Sequence, residues 1–345
     1  MTPDEVSRQT QALSLPLLEV RDLSVAFERD GGNGQTGLAV DSVSFSLERG
    51  KTLCLVGESG CGKTVTALSL LRLLPSPPAR ISGGRVLFDG EDLTAMSEKQ
   101  MRRIRGNRAG MVFQDPMTSL NPVMRVGDQI GESLRLHRGM TAAQAREAAT
   151  AMLERVKIPD PGLRVRDFPH QMSGGMRQRV MIAMALACAP DLIIADEPTT
   201  ALDVTVQKQI LDLMRDLIDG SGSGLLLITH DLGVVAQAAD DVAVMYAGRI
   251  VEQGPVRGVL EAPSHPYTIG LLRSRPGATA PKARLEAIPG TVPGLWTRPG
   301  GCTFHTRCPY AFERCRFDAP PLFTLEGDKK SRCWLAEPLS IIPCS

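Results

Sequence analysis

The sequence predicts an α/β fold: a parallel sheet covered by helices, an antiparallel β part near the N-terminus and a small Cys-rich C-terminal module. From the helical stretch 124–157 to residue 241, strand-like and helical patterns alternate, which is typical of a parallel sheet. Residues 17–27 and 38–47 alternate apolar and polar side chains, as half-buried antiparallel strands do. Pro and Gly become frequent after about residue 255. We therefore place a domain boundary near residue 255.

Each predicted element rests on a local pattern. Residues 51–56 are a short apolar run that indicates a buried strand. The helix that follows the next glycines ends before the Pro-rich residues 75–78, because Pro cannot continue a helix. Thr141 precedes a stretch of strong helix formers and suits an N-cap. The predicted strands are 17–27, 38–47, 51–56, 84–88, 109–114, 191–196 and 225–229, and the helical stretches are 65–71, 124–157 and 204–218.

Composition narrows the class of protein. The 345 residues are enough for one large core and a second, smaller module. The net charge is +1 and aromatic residues make up 4%, which disfavours a nucleic-acid binder with its basic excess and stacking rings. No apolar run reaches the roughly 20 residues of a membrane-spanning helix, and the N-terminus lacks the features of a signal peptide. We expect a soluble, cytosolic protein.

The most specific motif is residues 57–64, Gly-Glu-Ser-Gly-Cys-Gly-Lys-Thr, which matches the pattern G-x-x-x-x-G-K-[ST]. It stands between a predicted strand and a predicted helix, so backbone N–H groups and the helix dipole converge on one point. In this pattern Lys63 reaches the β- and γ-phosphates and the Thr64 hydroxyl binds Mg²⁺. An ordinary Gly-rich turn is the alternative, but it would not explain the predicted strand before the motif and the predicted helix after it. The sequence therefore predicts binding of a nucleoside triphosphate.

Polar residues follow two other predicted strands. Asp196 and Glu197 come directly after an apolar run. In nucleotide hydrolases the first acid holds Mg²⁺ through its water shell, and the second can polarise the attacking water as a general base. A solvated turn is the alternative, but a phosphate loop in the same chain favours the catalytic interpretation. His230 directly follows the predicted strand 225–229. It is either a structural hydrogen-bond partner or, beside Glu197, a γ-phosphate contact that orients the water.

A second anion site is predicted at residues 172–179, Met-Ser-Gly-Gly-Met-Arg-Gln-Arg, which open a helix. A Ser and two Gly at a helix start direct N–H groups at an anion. A plain N-cap with a flexible turn is the alternative. Because the chain already has one phosphate loop, the second site is expected to serve a γ-phosphate that is bound elsewhere.

In kind and in order, these motifs resemble those of the ATP-binding cassette (ABC) family. The resemblance covers roughly residues 17–255. It implies a P-loop NTPase with a RecA-like parallel core, an antiparallel β subdomain and a helical signature subdomain at about 115–185. It also implies that two cassettes face each other head to tail, with ATP between the phosphate loop of one and the signature of the other. Met176 stands where the family often has Gln, which removes a side-chain contact but keeps the backbone donors.

The resemblance also implies individual roles. Gln114 corresponds to the family's Gln loop, residues 200–203 to the loop that crosses the dimer interface, and Phe27 to an aromatic stacked on adenine, although a plain apolar strand residue is the alternative for Phe27. The implied catalytic residues are Glu197, His230 and Lys63, and the implied Mg²⁺ residues are Thr64, Gln114 and Asp196. The implied ATP-binding residues are Phe27, Gly57, Glu58, Ser59, Gly60, Cys61, Gly62, Lys63, Thr64, Thr66, Gln114, Ser173, Gly174, Gly175, Asp196 and Asp203.

One branch of the family fits best. Residues 114–122, 203–207 and 265–272 resemble the ATPase subunits of dipeptide and oligopeptide importers, whose C-terminal extension would occupy residues 256–345. The resemblance implies ATP-driven peptide uptake from the cytoplasmic face of the cell membrane. The implied partners are two membrane-spanning permease subunits, a second and related cassette and, indirectly, an extracytoplasmic peptide-binding protein; no nucleic acid is expected.

Four of the C-terminal cysteines, Cys302, Cys308, Cys315 and Cys333, form a candidate metal site. In a reducing compartment such a group favours metal over disulfides, although the absence of a C-x-x-C pair weakens an ordinary zinc-finger interpretation. Four thiolates suit zinc or an iron–sulfur cluster, and some members of this importer family resemble the arrangement and carry a [4Fe-4S] cluster. We expect a [4Fe-4S] cluster that staples the tail, with Zn²⁺ and free thiols as alternatives. Cys344 is expected to be a spare.

Other functions remain open at this point. The same ATPase role would serve nickel, glutathione, opines or another small solute. A soluble ABC ATPase that acts on nucleic acid or ribosomes is disfavoured, because no paired cassette or long coiled-coil insertion is visible and the net charge is near zero. A non-hydrolysing regulatory subunit is disfavoured by the complete set of catalytic motifs.

Overall fold

The computed structural model describes residues 15–29, 36–199, 204–220, 222–274 and 287–337. Two β-sheets are formed within these ranges, one of eight strands and one of four. The predicted interface loop with Asp203, and the spare Cys344, lie outside the described residues.

The predicted strands and helices are present in their predicted order, and further strands and helices lie between and after them. The strands are β1 (Leu18–Glu28), β2 (Thr36–Leu47), β3 (Thr52–Val56), β4 (Ala79–Phe88), β5 (Glu91–Asp92), β6 (Ala109–Val112), β7 (Leu192–Asp196), β8 (Gly224–Thr229), β9 (Asp241–Tyr246), β10 (Arg249–Pro255), β11 (Phe323–Thr324) and β12 (Lys330–Ser331). The α-helices are α1 (Lys63–Leu70), α2 (Glu98–Ile104), α3 (Pro116–Ser119), α4 (Val126–Arg138), α5 (Ala142–Arg155), α6 (Pro161–Arg164), α7 (Gly174–Leu186), α8 (Val204–Asp219), α9 (Leu232–Ala238), α10 (Val256–Glu261), α11 (Pro266–Arg273) and α12 (Glu313–Phe317). Two 3-10 turns span Pro169–Gln171 and Trp334–Ala336.

The eight-stranded sheet has the order β11-β12-β10-β9-β3-β8-β7-β6. Strands β9, β3, β8, β7 and β6 are parallel, whereas β10 and the two C-terminal strands continue the sheet in antiparallel fashion. The parallel centre confirms the prediction from the alternating pattern. Since the carboxyl ends of parallel strands meet at one edge, the loops after β3, β6, β7 and β8 lie together, as expected for a ligand site in an α/β sheet.

Both faces of the large sheet are buried, because successive side chains on a strand point to opposite sides. Along β3, Leu53 and Leu55 belong to one hydrophobic cluster and Cys54 and Val56 to another. The first cluster lies under the four-stranded sheet, which has the order β2-β1-β4-β5 and is antiparallel throughout. The second cluster includes residues of α4, α5 and α7. This arrangement agrees with the predicted antiparallel and helical subdomains on a shared parallel core.

Some predicted elements differ in extent. The helical stretch 124–157 is divided into α4 and α5 at Gly139, whose φ of 64° ends α4 in the left-handed region. β9 and β10 lie outside the predicted elements. The apolar pattern of β10 is interrupted by Glu252, which is fully buried because its carboxylate accepts hydrogen bonds from the N–H groups of Ser264 and His265 at 2.6 and 3.0 Å. Propensity alone does not reveal such a satisfied buried acid.

The C-terminal residues pack onto the main core. The ring of Phe304 lies 5.1 Å from that of Tyr246 and 5.4 Å from that of Tyr267, and all three belong to one large hydrophobic cluster. β12 pairs with β10 at the edge of the large sheet. The expectation of a small Cys-rich module stapled by its own metal is therefore not supported, because aromatic residues and strand pairing attach this part of the chain to the rest.

No helix in the described ranges combines the length and the apolar character that crossing a bilayer requires.

Candidate active site

The loop between β3 and α1 has the geometry of a phosphate loop. Gly62 is the N-cap of α1 with a φ of 107°, which favours glycine. A Cβ on Gly62 would lie 2.7 Å from the carbonyl oxygen of Ala39, so the loop also needs glycine for close packing. The Cys61 side chain is buried in the hydrophobic core beneath the loop. The N-terminus of the eight-residue helix α1 thus points at the cavity above the loop.

Lys63 lies at the centre of this loop. Its side chain is 4% exposed, and its ammonium donates hydrogen bonds to the carbonyl oxygens of Gly57 at 2.7 Å and Glu58 at 3.0 Å. The same nitrogen lies 3.8 Å from Glu197 Oε1. The positive charge is therefore held against the loop's own backbone, facing the general-base candidate.

Thr64 and Asp196 form the candidate Mg²⁺ position. The Thr64 hydroxyl donates to Asp196 Oδ1 at 3.2 Å, across the junction between α1 and the end of β7. Asp196 is 2% exposed, and burial raises the pKa of its carboxyl although the Thr64 hydrogen bond opposes this shift. A hydroxyl and a carboxylate are oxygen ligands of the kind Mg²⁺ takes from proteins alongside phosphate oxygens. Thr66, by contrast, is buried and donates to the Gly62 carbonyl at 2.9 Å.

Glu197 is the point at which the other predicted residues meet. Gln114 Nε2 donates to Glu197 Oε2 at 3.3 Å, and His230 Nδ1 lies 3.2 Å from the same oxygen. The Glu197 side chain is 13% exposed. Its backbone has a φ of 46°, a conformation that costs about 1–3 kcal/mol outside glycine. The Glu197 N–H donates to the carbonyl of Ile228 on β8 at 2.9 Å, which holds this turn in place.

A large open cavity covers the phosphate loop. Its lining includes five residues that the sequence predicts for the ATP site: Lys63, Thr64, Gln114, Glu197 and His230. Some other lining residues were not predicted from the sequence. These additional residues lie on β2, in the β9–β10 turn and in the C-terminal region: Ala39, Ala247, Gly248, Leu271, Pro293, Leu295 and Arg298. Arg298 is fixed there by Asp41, whose carboxylate accepts from its Nη1 at 3.1 Å.

Phe27 is not among the residues that line this cavity. It lies on β1, half-buried, and packs against the hydrophobic cluster beneath the four-stranded sheet. In the described residues the apolar wall beyond the phosphate loop is built instead by Ala39, Pro293 and Leu295. No sequence motif signals the two C-terminal residues, because their approach depends on the tertiary packing of residues 287–337.

The signature residues lie apart from this cavity. Ser173 is the N-cap of α7, and its hydroxyl accepts a hydrogen bond from the Met176 N–H at 3.3 Å. Ser173 and Gly174 are exposed, and a Cβ on Gly174 would have no heavy atom within 4 Å. None of the three signature residues lines the cavity above the chain's own phosphate loop.

Glu58 faces the C-terminal region. Its N–H donates to the Tyr267 hydroxyl at 2.9 Å, and its carboxylate is bound by Arg307 at 2.7 and 3.0 Å. The motif predicts Glu58 as an ATP-binding residue, but its polar groups are engaged by this other part of the chain.

The four cysteines are brought together. Cys302, Cys308, Cys315 and Cys333 line one small cavity in the C-terminal region. Burial, with a smaller contribution from the neighbouring thiols, raises the pKa of Cys333 to about 11. Within the described residues, however, no group of three or more His, Cys, Asp or Glu side chains is placed to hold a metal ion.

The chain is similar to known proteins over most of its length. The family model described as "ABC transporter" matches residues 40–200, and the model described as "Oligopeptide/dipeptide transporter, C-terminal region" matches residues 251–315. A putative peptide import ATP-binding protein of Brucella melitensis is 53% identical over 92% of this chain and 96% of its own length. The oligopeptide transport ATP-binding protein OppD of Bacillus subtilis is 51% identical over 93% and 89%, and the dipeptide transport ATP-binding protein DppD of the same organism is 50% identical over 93% and 95%.

Solved structures show the same cassette fold. A dimeric ATP-binding cassette in a post-hydrolysis state, bound to ADP and Pi, has a TM-score of 0.62 at 26% identity and covers 70% of this chain and 99% of its own. The cbiO1 protein of Clostridium perfringens, part of the ABC transporter complex cbiONQ, has a TM-score of 0.59 at 26% identity over 72% and 91%. The chain therefore belongs to the ATP-binding proteins of the ABC transporter family, in the group with the oligopeptide/dipeptide transporter C-terminal region.

Proposed function

We propose that this chain is the ATP-hydrolysing subunit of an ABC importer that takes up di- or oligopeptides. The observation that carries the ATPase assignment is the meeting of Lys63, Gln114 and His230 at Glu197 beside the phosphate loop. The peptide assignment is supported by relatives about 50% identical over nearly the whole chain, whose names state peptide transport.

The chemistry follows from the positions of these groups. The N–H groups of the loop and the Lys63 ammonium would bind the phosphates of ATP. Thr64 and Asp196 would hold the accompanying Mg²⁺, which neutralises phosphate charge. Glu197, oriented by Gln114 and His230, would accept a proton from water as that water attacks the γ-phosphate in line and ADP leaves. Phe27, on β1, remains a proposed adenine contact.

We further propose that the signature of this chain completes the ATP site of a second cassette, a related chain. The exposure of Ser173 and Gly174, at a helix start outside the cavity, supports this arrangement. The proposed loop 200–203, with Asp203, would join the same interface. Two membrane-spanning permease subunits would receive the motion through the Gln114 segment, and a peptide-binding protein outside the cell would act indirectly. The chain would thus be a peripheral subunit on the cytoplasmic face of the membrane.

Gly174→Asp tests the signature proposal. An acid in the first turn of a helix is compatible with the helix dipole, and the site has space for it, so the melting temperature should stay unchanged. The added charge would repel the γ-phosphate bound by the partner, and we expect ATP turnover of the assembled transporter to fall by roughly a hundredfold. Gly162→Asp, at an equally open position on α6, is the matched control and should leave turnover unchanged. Normal turnover in Gly174→Asp would contradict the shared site.

Uptake by intact cells tests the peptide proposal. Deleting the gene should abolish ATP-dependent uptake of a labelled di- or oligopeptide, and the wild-type gene, but not its Glu197→Gln variant, should restore it. Restored uptake of nickel, glutathione or an opine in place of peptides would reassign the substrate. Co-purification with ribosomes or nucleic acid in place of permease subunits would reassign the class of ABC protein.

We also propose that the four cysteines hold a [4Fe-4S] cluster, with Zn²⁺ as the alternative. Their convergence on one cavity and their chemistry as a set of four thiols support the proposal. The arrangement of the side chains does not by itself form a metal-binding group, so binding would have to draw the sulfur atoms closer together.

Metal analysis of protein purified without oxygen tests this proposal. We expect about four iron and four sulfide per chain, lost when Cys302 or Cys308 is replaced by Ser. Cys188→Ser, a buried cysteine outside the cavity, is the control and should keep the metal content. One zinc per chain would select the alternative, and absence of both metals would show free thiols.

A further inference from the structure

The C-terminal region contacts the first turn of the phosphate loop through the backbone N–H and the carboxylate of Glu58. We propose that Arg307 is a positioning residue for ATP binding: through its ion pair with Glu58 it fixes the backbone from which the phosphate loop presents Lys63. This inference rests on the proposed ATPase function and adds a residue that lies outside every motif of the cassette.

The contact between Arg307 and Glu58 is bidentate. Arg307 Nη1 donates to Glu58 Oε2 at 2.7 Å, and Arg307 Nη2 donates to Glu58 Oε1 at 3.0 Å. The Arg307 side chain is 4% exposed and that of Glu58 is 31% exposed. The hydrogen bond to Glu58 is the main reason that the pKa of Arg307 is raised. Paired, forked geometry of this kind gives both energy and a defined orientation.

Backbone carbonyl groups of residues 288–290 hold the Arg307 side chain in place. Its Nε donates to the carbonyl of Pro289 at 2.8 Å, and Nη2 also lies within 3.4 Å of the carbonyl oxygens of Ile288 and Gly290. Its guanidinium lies 5.7 Å from the centre of the Tyr246 ring. A lysine side chain has neither the planar fork nor the number of donors that these hydrogen bonds require. The position of Arg307 is therefore set by the packing of the C-terminal region.

The effect reaches Lys63 through the backbone of Glu58. The Glu58 carbonyl accepts from Lys63 Nζ at 3.0 Å and from the Cys61 N–H at 3.3 Å. The Glu58 N–H is held by the Tyr267 hydroxyl at 2.9 Å. The side chain, N–H and carbonyl of one residue thus connect the C-terminal region to the ammonium that binds phosphate. A shift of this backbone would move the ammonium and the turn of the loop together.

The expected effect is on nucleotide affinity. Arg307→Ala should weaken binding of a fluorescent, slowly hydrolysed ATP analogue by about 10- to 100-fold, since misplacement by about 1 Å can cost that much. Arg307→Lys keeps the charge but not the fork, and should give a smaller loss. The chemical groups of Glu197 are untouched, so turnover at saturating ATP should change much less than the KM for ATP.

A double-mutant cycle separates positioning from general destabilisation. Arg307→Ala, Glu58→Ala and the double variant are compared for analogue affinity at a temperature where each is folded, with the melting temperature measured alongside. If Arg307 acts through Glu58, the double variant binds no more weakly than the weaker single variant. Arg314→Ala is the matched control, because Arg314 pairs with Glu337 at 2.8 Å and stacks on Trp334 within the C-terminal region; its affinity should equal that of wild type.

Each outcome decides the question. Wild-type protein that fails to bind the analogue would overturn the proposed ATPase function itself. Normal wild-type binding together with unchanged affinity in Arg307→Ala, or with losses that add in the double variant, would overturn the positioning role alone. If Arg307→Ala does not fold, Arg307→Lys decides: weaker binding at an unchanged melting temperature supports the role, and unchanged binding removes it.

Discussion

Glu197→Gln should stop steady-state ATP hydrolysis by the assembled cassette pair while ATP still binds. The substitution keeps the size of the side chain and its place between Gln114 and His230, but removes the group that accepts the proton from water. We expect turnover to fall by about 10²–10⁴-fold, the usual contribution of a general base. Phosphate release measures turnover, and a fluorescent ATP analogue measures binding.

Asp216→Asn provides the control for loss of a carboxylate. Asp216 is exposed on α8, pairs with Lys157 at 3.8 Å and does not line the cavity above the phosphate loop, so turnover should be unchanged. A Glu197→Gln pair that continues to hydrolyse ATP at the wild-type rate would exclude Glu197 as the base. His230 would then be the next residue to replace.

Lys63→Ala should remove nucleotide binding. The side chain is 4% exposed and its ammonium lies between the Gly57 carbonyl and Glu197, in the loop whose pattern assigns this lysine to the β- and γ-phosphates. Hydrogen bonds to charged groups each contribute roughly 1.5–3 kcal/mol, so we expect affinity to fall by about a hundredfold or more. Titration of the purified chain with a fluorescent nucleotide measures the loss.

Lys51→Ala is the matched lysine variant for that experiment. Lys51 lies just before β3 and pairs with Glu48 at 2.7 Å on the surface, so its removal should not change affinity. Wild-type affinity in Lys63→Ala would refute the phosphate-loop assignment, since that assignment makes the Lys63 ammonium a direct contact of the phosphates.

The centre of the fold was predictable because its signals are local. The apolar run before Gly57 and the two carboxylates at the end of β7 each identify a strand end, and the parallel topology brings such ends together. The meeting of Gln114 and His230 at Glu197 agrees with that reasoning. Each of these motifs follows its own strand of the parallel sheet. Their residues are therefore expected to lie at the same edge of the sheet.

The C-terminal contribution was not predictable from local patterns. Arg307 and Leu295 belong to stretches without helical or strand periodicity, and nothing in their neighbourhood indicates the phosphate loop as their partner. The group of four cysteines predicted that a metal holds this region together. In the structure, Phe304 packs against Tyr246 and so attaches the region to the hydrophobic core. Tertiary contacts between distant residues override such local signals.

The ion pair between Glu58 and Arg307 has a consequence for the order of events during synthesis. Its two residues are separated by 249 positions. At about 5–20 residues per second, a ribosome needs roughly 12–50 s to make the intervening chain. The phosphate loop is therefore synthesised long before Arg307. Until Arg307 is added, the loop of a nascent cassette would lack the ion pair that positions Glu58. The chain would then reach its full affinity for ATP only late in synthesis. Closure of the cassette pair would be delayed until most of the subunit has been made.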